Sequence, residues 1–163
     1  MKKLAIFLLL AAVLAAMGLL PFRAVDAAKL LPVKTVIVTK TGDEYVVDIG
    51  AGVRAVGRTL REALDRLREE VTGEVFFPTA EQVIITEPAD EALEAVAEET
   101  QFRPAAGIYQ TPDPAPDAKA LGAYLDAHAS DLTILDVRAA LALGQMPKLP
   151  VIYAVNGGFR VDE

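Results

Sequence analysis

Apolar and polar positions change rhythm several times along the chain. Leu4 to Leu20 is apolar without interruption and follows Lys2 and Lys3. From Lys34 to Lys40 the pattern alternates on β-branched residues, which predicts a strand. Thr41-Gly42-Asp43 predicts a turn, and Tyr45 to Ile49 a second strand with Tyr45, Val47 and Ile49 on one face, so the two form a hairpin. The rhythm then becomes helical. Leu60, Ala63, Leu64, Leu67 and Val71 recur at i, i+3, i+4, i+7 and i+11, a single apolar stripe. Thr59 and Glu62 form a capping box at its start, Arg61–Asp65 and Glu62–Arg66 are i,i+4 pairs, and Gly73 ends it.

The second half is more broken. Val75-Phe76-Phe77 is apolar and Val83 to Thr86 is strand-like. Glu87-Pro88 starts a helix with proline at its first position, with Ala89, Ala92, Leu93 and Val96 on its apolar side. Ala106 to Gln110 is extended, and residues 111–116 form a stiff connector carrying Pro112, Pro114 and Pro116. Asp117 caps a helix reaching about Ala127, with Leu121, Tyr124 and Leu125 inward. Asp131 caps another, with Leu132, Leu135 and Ala139 inward and Gly144 at its end. "LPVIYAV" is a strand of buried type, Asn156-Gly157-Gly158 a hairpin turn, and "FRVDE" a returning strand that has only begun. The expected fold is α+β, one domain with a mixed sheet and about four helices packed on it, preceded by an apolar N-terminal helix.

The chain is 53% hydrophobic, and the uninterrupted N-terminal run contributes much of that. A basic start followed by an apolar stretch reads as a signal peptide, and Val25-Asp26-Ala27 offers the small residues at which one is cut. A membrane span needs about 20 apolar residues, so a retained anchor over residues 4–22 is the second reading and a buried core helix the third. The first two agree that residues 1–27 are signal peptide or membrane anchor and residues 28–163 are exported. The whole chain has a net charge of −7, and the leader holds Lys2, Lys3 and Arg23 against Asp26, so the exported part is more acidic still. That balance disfavours nucleic acid and anionic lipid as direct ligands. The lack of cysteine excludes disulfides, thiolate metal sites, a cysteine nucleophile and lipid attachment through cysteine.

Gly50, Gly52 and Ala55 fill a G-x-G-x-x-A pattern after a strand, the outline of a dinucleotide loop. In such a loop the glycines open the helix directly, leaving its free amides for the pyrophosphate. Here the helix starts only at Leu60 and is closed by its own cap, so the glycines are expected to bend the chain into a short "VRAVG" extension. Asp90, Glu91, Glu94, Glu98 and Glu99 form the wet face of a helix, without a loop to wrap a cation. His128 is the only histidine and Ser130 the only serine, and Asp126, His128 and Asp131 do not converge on one helix face. An enzyme would need carboxylates converging on Arg54, Arg58 or His128. No residue is nominated as catalytic, cofactor-binding or metal-ligating, and no cofactor is expected.

Three stretches resemble the N-terminal domain of the Ger(x)C family, the C subunits of germinant receptors in spore-forming bacteria. "VIVTKTGDEYVVDI" looks like its first hairpin. "GRTLREALDRLREEVTGEVFFPTAEQVIITEPADEALEAV" is similar to its G-x-T-l-x-E-A-l helix with the following strand and helix, and Gly57, Thr59, Glu62, Ala63 and Leu64 match. "ILDVRAALALGQMPKLPVI" resembles its later helix, glycine turn and strand. Together these stretches cover most of residues 33–155. The chain departs from the family in lacking the lipoprotein cysteine and in ending where that domain continues, as in a short relative. The resemblance implies a non-enzymatic, extracytoplasmic, membrane-associated protein of sporulation and spore germination, partnered with the membrane protein subunits of a receptor-like complex. It would sit on the outer face of the cytoplasmic or spore inner membrane, or be secreted if cut near Ala27. The alternative is an exported cell-envelope binding domain with no germination role. A strand at Phe159 to Val161 left unpaired would be completed by another chain.

Overall fold

A computed structural model of the chain describes residues 30–50, 52–155 and 157–162. The elements run β1 (Leu30–Pro32), β2 (Thr35–Thr41), β3 (Glu44–Asp48), β4 (Arg54–Gly57), α1 (Leu60–Glu70), β5 (Glu74–Phe76), a 3-10 turn (Phe77–Thr79) and β6 (Gln82–Thr86). They continue with α2 (Asp90–Glu98), β7 (Gly107–Thr111), α3 (Ala118–Leu125), α4 (Ile134–Ala142), β8 (Val151–Val155) and β9 (Gly158–Asp162). The expected α+β fold is present, as a seven-stranded mixed sheet in the order β4-β3-β2-β6-β7-β8-β9 and a two-stranded parallel pair of β1 with β5. The expected apolar helix at the N-terminus falls outside the described residues. Among the described residues, no helix is long and apolar enough to cross a membrane.

The strands of the large sheet alternate between two apolar layers. Val36 and Val38 of β2, Val83 and Ile85 of β6 and Ile108 of β7 join α1, α2 and α4 in the larger core. Ile37, Ile84, Tyr109 and Ile152 point the other way, where Ala118, Leu121 and Leu125 of α3 cover them. Period-2 alternation with both faces apolar places these central strands between helices, as their near-continuous Val/Ile runs demand. Parallel pairing of β2, β6, β7 and β8 is flanked by antiparallel hairpins on both sides, β2–β3–β4 and β8–β9.

Several expectations are corrected. The glycine extension is a full strand: Gly50 and Gly52 have φ of 81° and 78° in the turn from β3 into antiparallel β4. A hairpin turn presents no helix N-terminus to a phosphate. Pro88 lies ahead of α2, which is capped at Ala89, with the Glu87–Pro88 bond cis. Thr133, not Asp131, caps α4: its hydroxyl accepts from the Asp136 amide while the Asp136 carboxylate accepts from the Thr133 amide. The buried side of α4 is Ile134 and Val137, and Leu135 and Ala139 face solvent. The helix is apolar on two sides, so periodicity alone does not choose between them. Strand β8 buries only Ile152 fully, and its one partner on the outer side, β9, is the edge strand of the sheet. Phe159 to Val161 is not unpaired: β9 pairs with β8 along its whole length, and only its outer edge is open.

Candidate functional site

The polar residues that come together best lie at the amino ends of the parallel strands. Lys34 immediately precedes β2, Gln82 and Gly107 open β6 and β7, and the carboxyl end of α3 brings Asp126 over them. The Lys34 ammonium donates to Asp126 Oδ2 at 2.6 Å and lies 3.6 Å from Glu81 Oε2. Gln82 donates to Asp126 Oδ1 at 3.2 Å and accepts from the Thr35 hydroxyl at 2.9 Å. This closeness needs a bare backbone on α3, since a Cβ on Gly122 would stand 2.3 Å from Thr35 Oγ1.

Two clefts flank the Lys34–Asp126 pair. One, of about 390 Å³, is mostly apolar, with Leu31, Val33, Ile49, Val53 and Ala118 on its walls. The other, of about 430 Å³, is polar and lies among Arg103, Tyr109, Ser130, Thr133, Glu81 and Asp126. Tyr109 is buried, and its hydroxyl accepts from the Ser130 amide at 2.8 Å. Burial raises the Tyr109 pKa, opposed by that amide, so the phenol stays protonated at neutral pH. Arg103 Nε is shielded from solvent and has no hydrogen-bond partner among the described residues. Open α/β sheets usually bind ligands at the carboxyl ends of their strands. This cleft lies at the opposite ends, so its interest rests on its residues and not on the architecture.

The Lys34–Asp126 pair sets a pH dependence. The hydrogen bond with Asp126 holds the Lys34 pKa above 10.5, against desolvation. The same bond holds Asp126 below 3.8, against burial and with help from Gln82. A lowered carboxylate adds stability above its unfolded pKa and loses it as pH falls through the folded one; a raised ammonium adds stability below its unfolded pKa and loses it as pH rises through the folded one. Both side chains are about half exposed, so the effect is modest and weakens with salt. Asp126→Asn is expected to melt below wild type at neutral pH, with the gap closing towards about pH 2. A gap unchanged across the carboxylate range in thermal melts would show that the pair contributes nothing.

The residues weighed from sequence scatter. The His128 ring stacks on Tyr124 with centroids 4.2 Å apart, and its Nδ1 lies 2.9 Å from the Tyr124 carbonyl. Arg54 has no ion pair among the described residues. Arg58 borders a hollow near the carboxyl end of β2 with Asp43 and Glu98 on its walls, but neither acid comes within ion-pair distance of it. Arg61 does not pair with Asp65 as expected. It reaches across to Glu99, donating to Oε1 at 3.1 Å and Oε2 at 3.3 Å, while Asp65 pairs with Arg68. The expected Glu62–Arg66 pair is formed at 2.6 Å. Of the acids expected on the wet face of α2, Glu91 pairs with Lys40, but Glu99 is not on that face: it is only 4% exposed, held inward by Arg61 and the Gln101 amide. Among the described residues, no group of three or more His, Asp or Glu side chains is placed to hold a metal ion.

The polar cleft was missed in the sequence because its residues come from four separate segments. One signal was available: a polar residue at or just before the start of two neighbouring inner strands, Lys34 and Gln82, with a glycine inside a short helix, Gly122. Comparison with family models, curated proteins and solved structures returns no match.

Proposed function

We propose that this is a non-enzymatic, extracytoplasmic, membrane-associated interaction protein resembling a germinant-receptor C subunit, held near the membrane by its N-terminal apolar segment and docking on a membrane protein subunit. The observation that carries docking is the outer side of α4. Leu135 is 57% exposed and Ala139 and Ala142 lie beside it at i+4 and i+7. At the end of the helix Leu143 is 75% and Met146 56% exposed. Large side chains gathered in one stretch this way mark a protein-interaction surface more often than scattered single ones do. The stretch lies within "ILDVRAALALGQMPKLPVI", one of the three that resemble the germination family.

The test is fractionation of growing cells, sporulating cells and purified spores with an antibody to the exported domain, using wild type and a Leu135→Ser/Leu143→Ser double variant. Both positions are exposed, so the variant is expected to fold. Full-length protein in the spore inner membrane that crosslinks to a polytopic membrane protein, with the crosslink lost in the variant, is the expected result. A shorter form, cut near Ala27 and found in the medium or wall of growing cells, would support the alternative of a cell-envelope binding domain without a germination role.

A further inference from the structure

We infer that the polar cleft at the amino ends of β6 and β7 binds a small monocarboxylate bearing a hydroxyl group. Arg103, Tyr109 and Ser130 are among its lining residues. Arg103 makes no ion pair among the described residues, and its buried Nε–H has no acceptor. The Tyr109 hydroxyl accepts from the Ser130 amide, and no acceptor for its own proton stands among the described residues. The Ser130 hydroxyl accepts from the Leu132 amide and likewise has no described acceptor. A guanidinium and two hydroxyl donors lining one cleft suit a carboxylate, whose oxygens accept from both kinds of donor.

The acids of the cleft set the charge of the guest. Glu81 and Asp126 share the single ammonium of Lys34, so the cleft as a whole is close to neutral. A single carboxylate meets Arg103 directly and leaves the cleft with one net negative charge. A second or third would face Glu81 and Asp126 and be repelled. Phosphate, citrate and other polyanions are therefore disfavoured, while a hydroxyl on the guest has a carboxylate to donate to. The volume of about 430 Å³ suits a molecule of a few heavy atoms together with water. Docking at α4 uses other residues, so this site and the proposed function stand or fall separately.

The experiment is amide NMR of the uniformly ¹⁵N-labelled full chain in detergent, titrated with L-lactate, acetate, citrate and inorganic phosphate. Expected is saturable movement of the Gly107, Ser130 and Thr133 amides with lactate, weaker movement with acetate, and none with citrate or phosphate. Arg103→Gln is expected to weaken lactate at least about tenfold, and Tyr109→Phe, which keeps the ring in the core, to weaken it less. No movement at those amides, equal affinity for phosphate or citrate, or lactate affinity unchanged in both variants would each overturn the assignment.

Discussion

Gly57→Ala is expected to cost about 3 kcal/mol of stability, near the upper end of what overpacking costs. Strand β4 ends against the first turn of α1, and an added Cβ would stand 2.4 Å from the Ala63 nitrogen and 2.9 Å from the Glu62 carbonyl carbon. Both are helix backbone atoms and cannot rotate aside. Strand and helix would have to separate, against three hydrogen bonds that fix the corner, one of which joins strand to helix directly. Thr59 Oγ1 accepts from the Glu62 amide, Glu62 Oε2 accepts from the Arg58 amide, and Arg66 donates to the Val56 carbonyl at 2.7 Å. The carboxylate thus reaches one residue further back than a standard capping box, to the residue beside Gly57. Ala63 is fully buried behind it. Urea unfolding of wild type and variant measures the loss, and a midpoint that did not fall would mean the corner opens without cost.

Phe77→Ala is expected to cost about 3–5 kcal/mol, the range for removing a buried aromatic side chain. Phe77 is fully buried in the 3-10 turn between β5 and β6. Its ring meets Phe102 edge to face, with centroids 6.0 Å apart at 86°, and the Arg68 guanidinium lies 5.2 Å from its centroid. These contacts tie α1 and the segment after α2 to the underside of the β5–β6 connection, so the vacated space borders several rigid elements and collapses poorly. Thermal and urea melts give the value. A loss under about 1 kcal/mol would show that Phe102 moves in to fill the gap.

How much of this was legible varied with the kind of signal. The β2–β3 hairpin and α1 were, because alternation and a Gly turn agreed over Lys34 to Ile49 and a capped stripe over Thr59 to Val71, with β4 between them missed. Strand β1 was not, since three residues carry no period and their partner, β5, is supplied from beyond α1. The phase of α4 was not, since its two apolar sides differ only in what the rest of the chain offers to cover them. The polar cleft is a product of topology. Parallel pairing brings Gln82 beside Gly107, and α3 delivers Asp126 to Lys34. No local pattern encodes that meeting.

Among the described residues a single short helix, α3, closes the second face of the sheet, which gives the molecule an unequal resistance to opening. Detaching α3 uncovers Ile37, Ile84, Tyr109 and Ile152 together and breaks the Lys34–Asp126 bond, while the core under α1, α2 and α4 stays shut. Amides of α3 therefore belong to a cooperative unit that exchanges with solvent well before the central strands do. A guest in the neighbouring cleft, lined by Leu125 and Asp126, would slow that exchange in proportion to its occupancy.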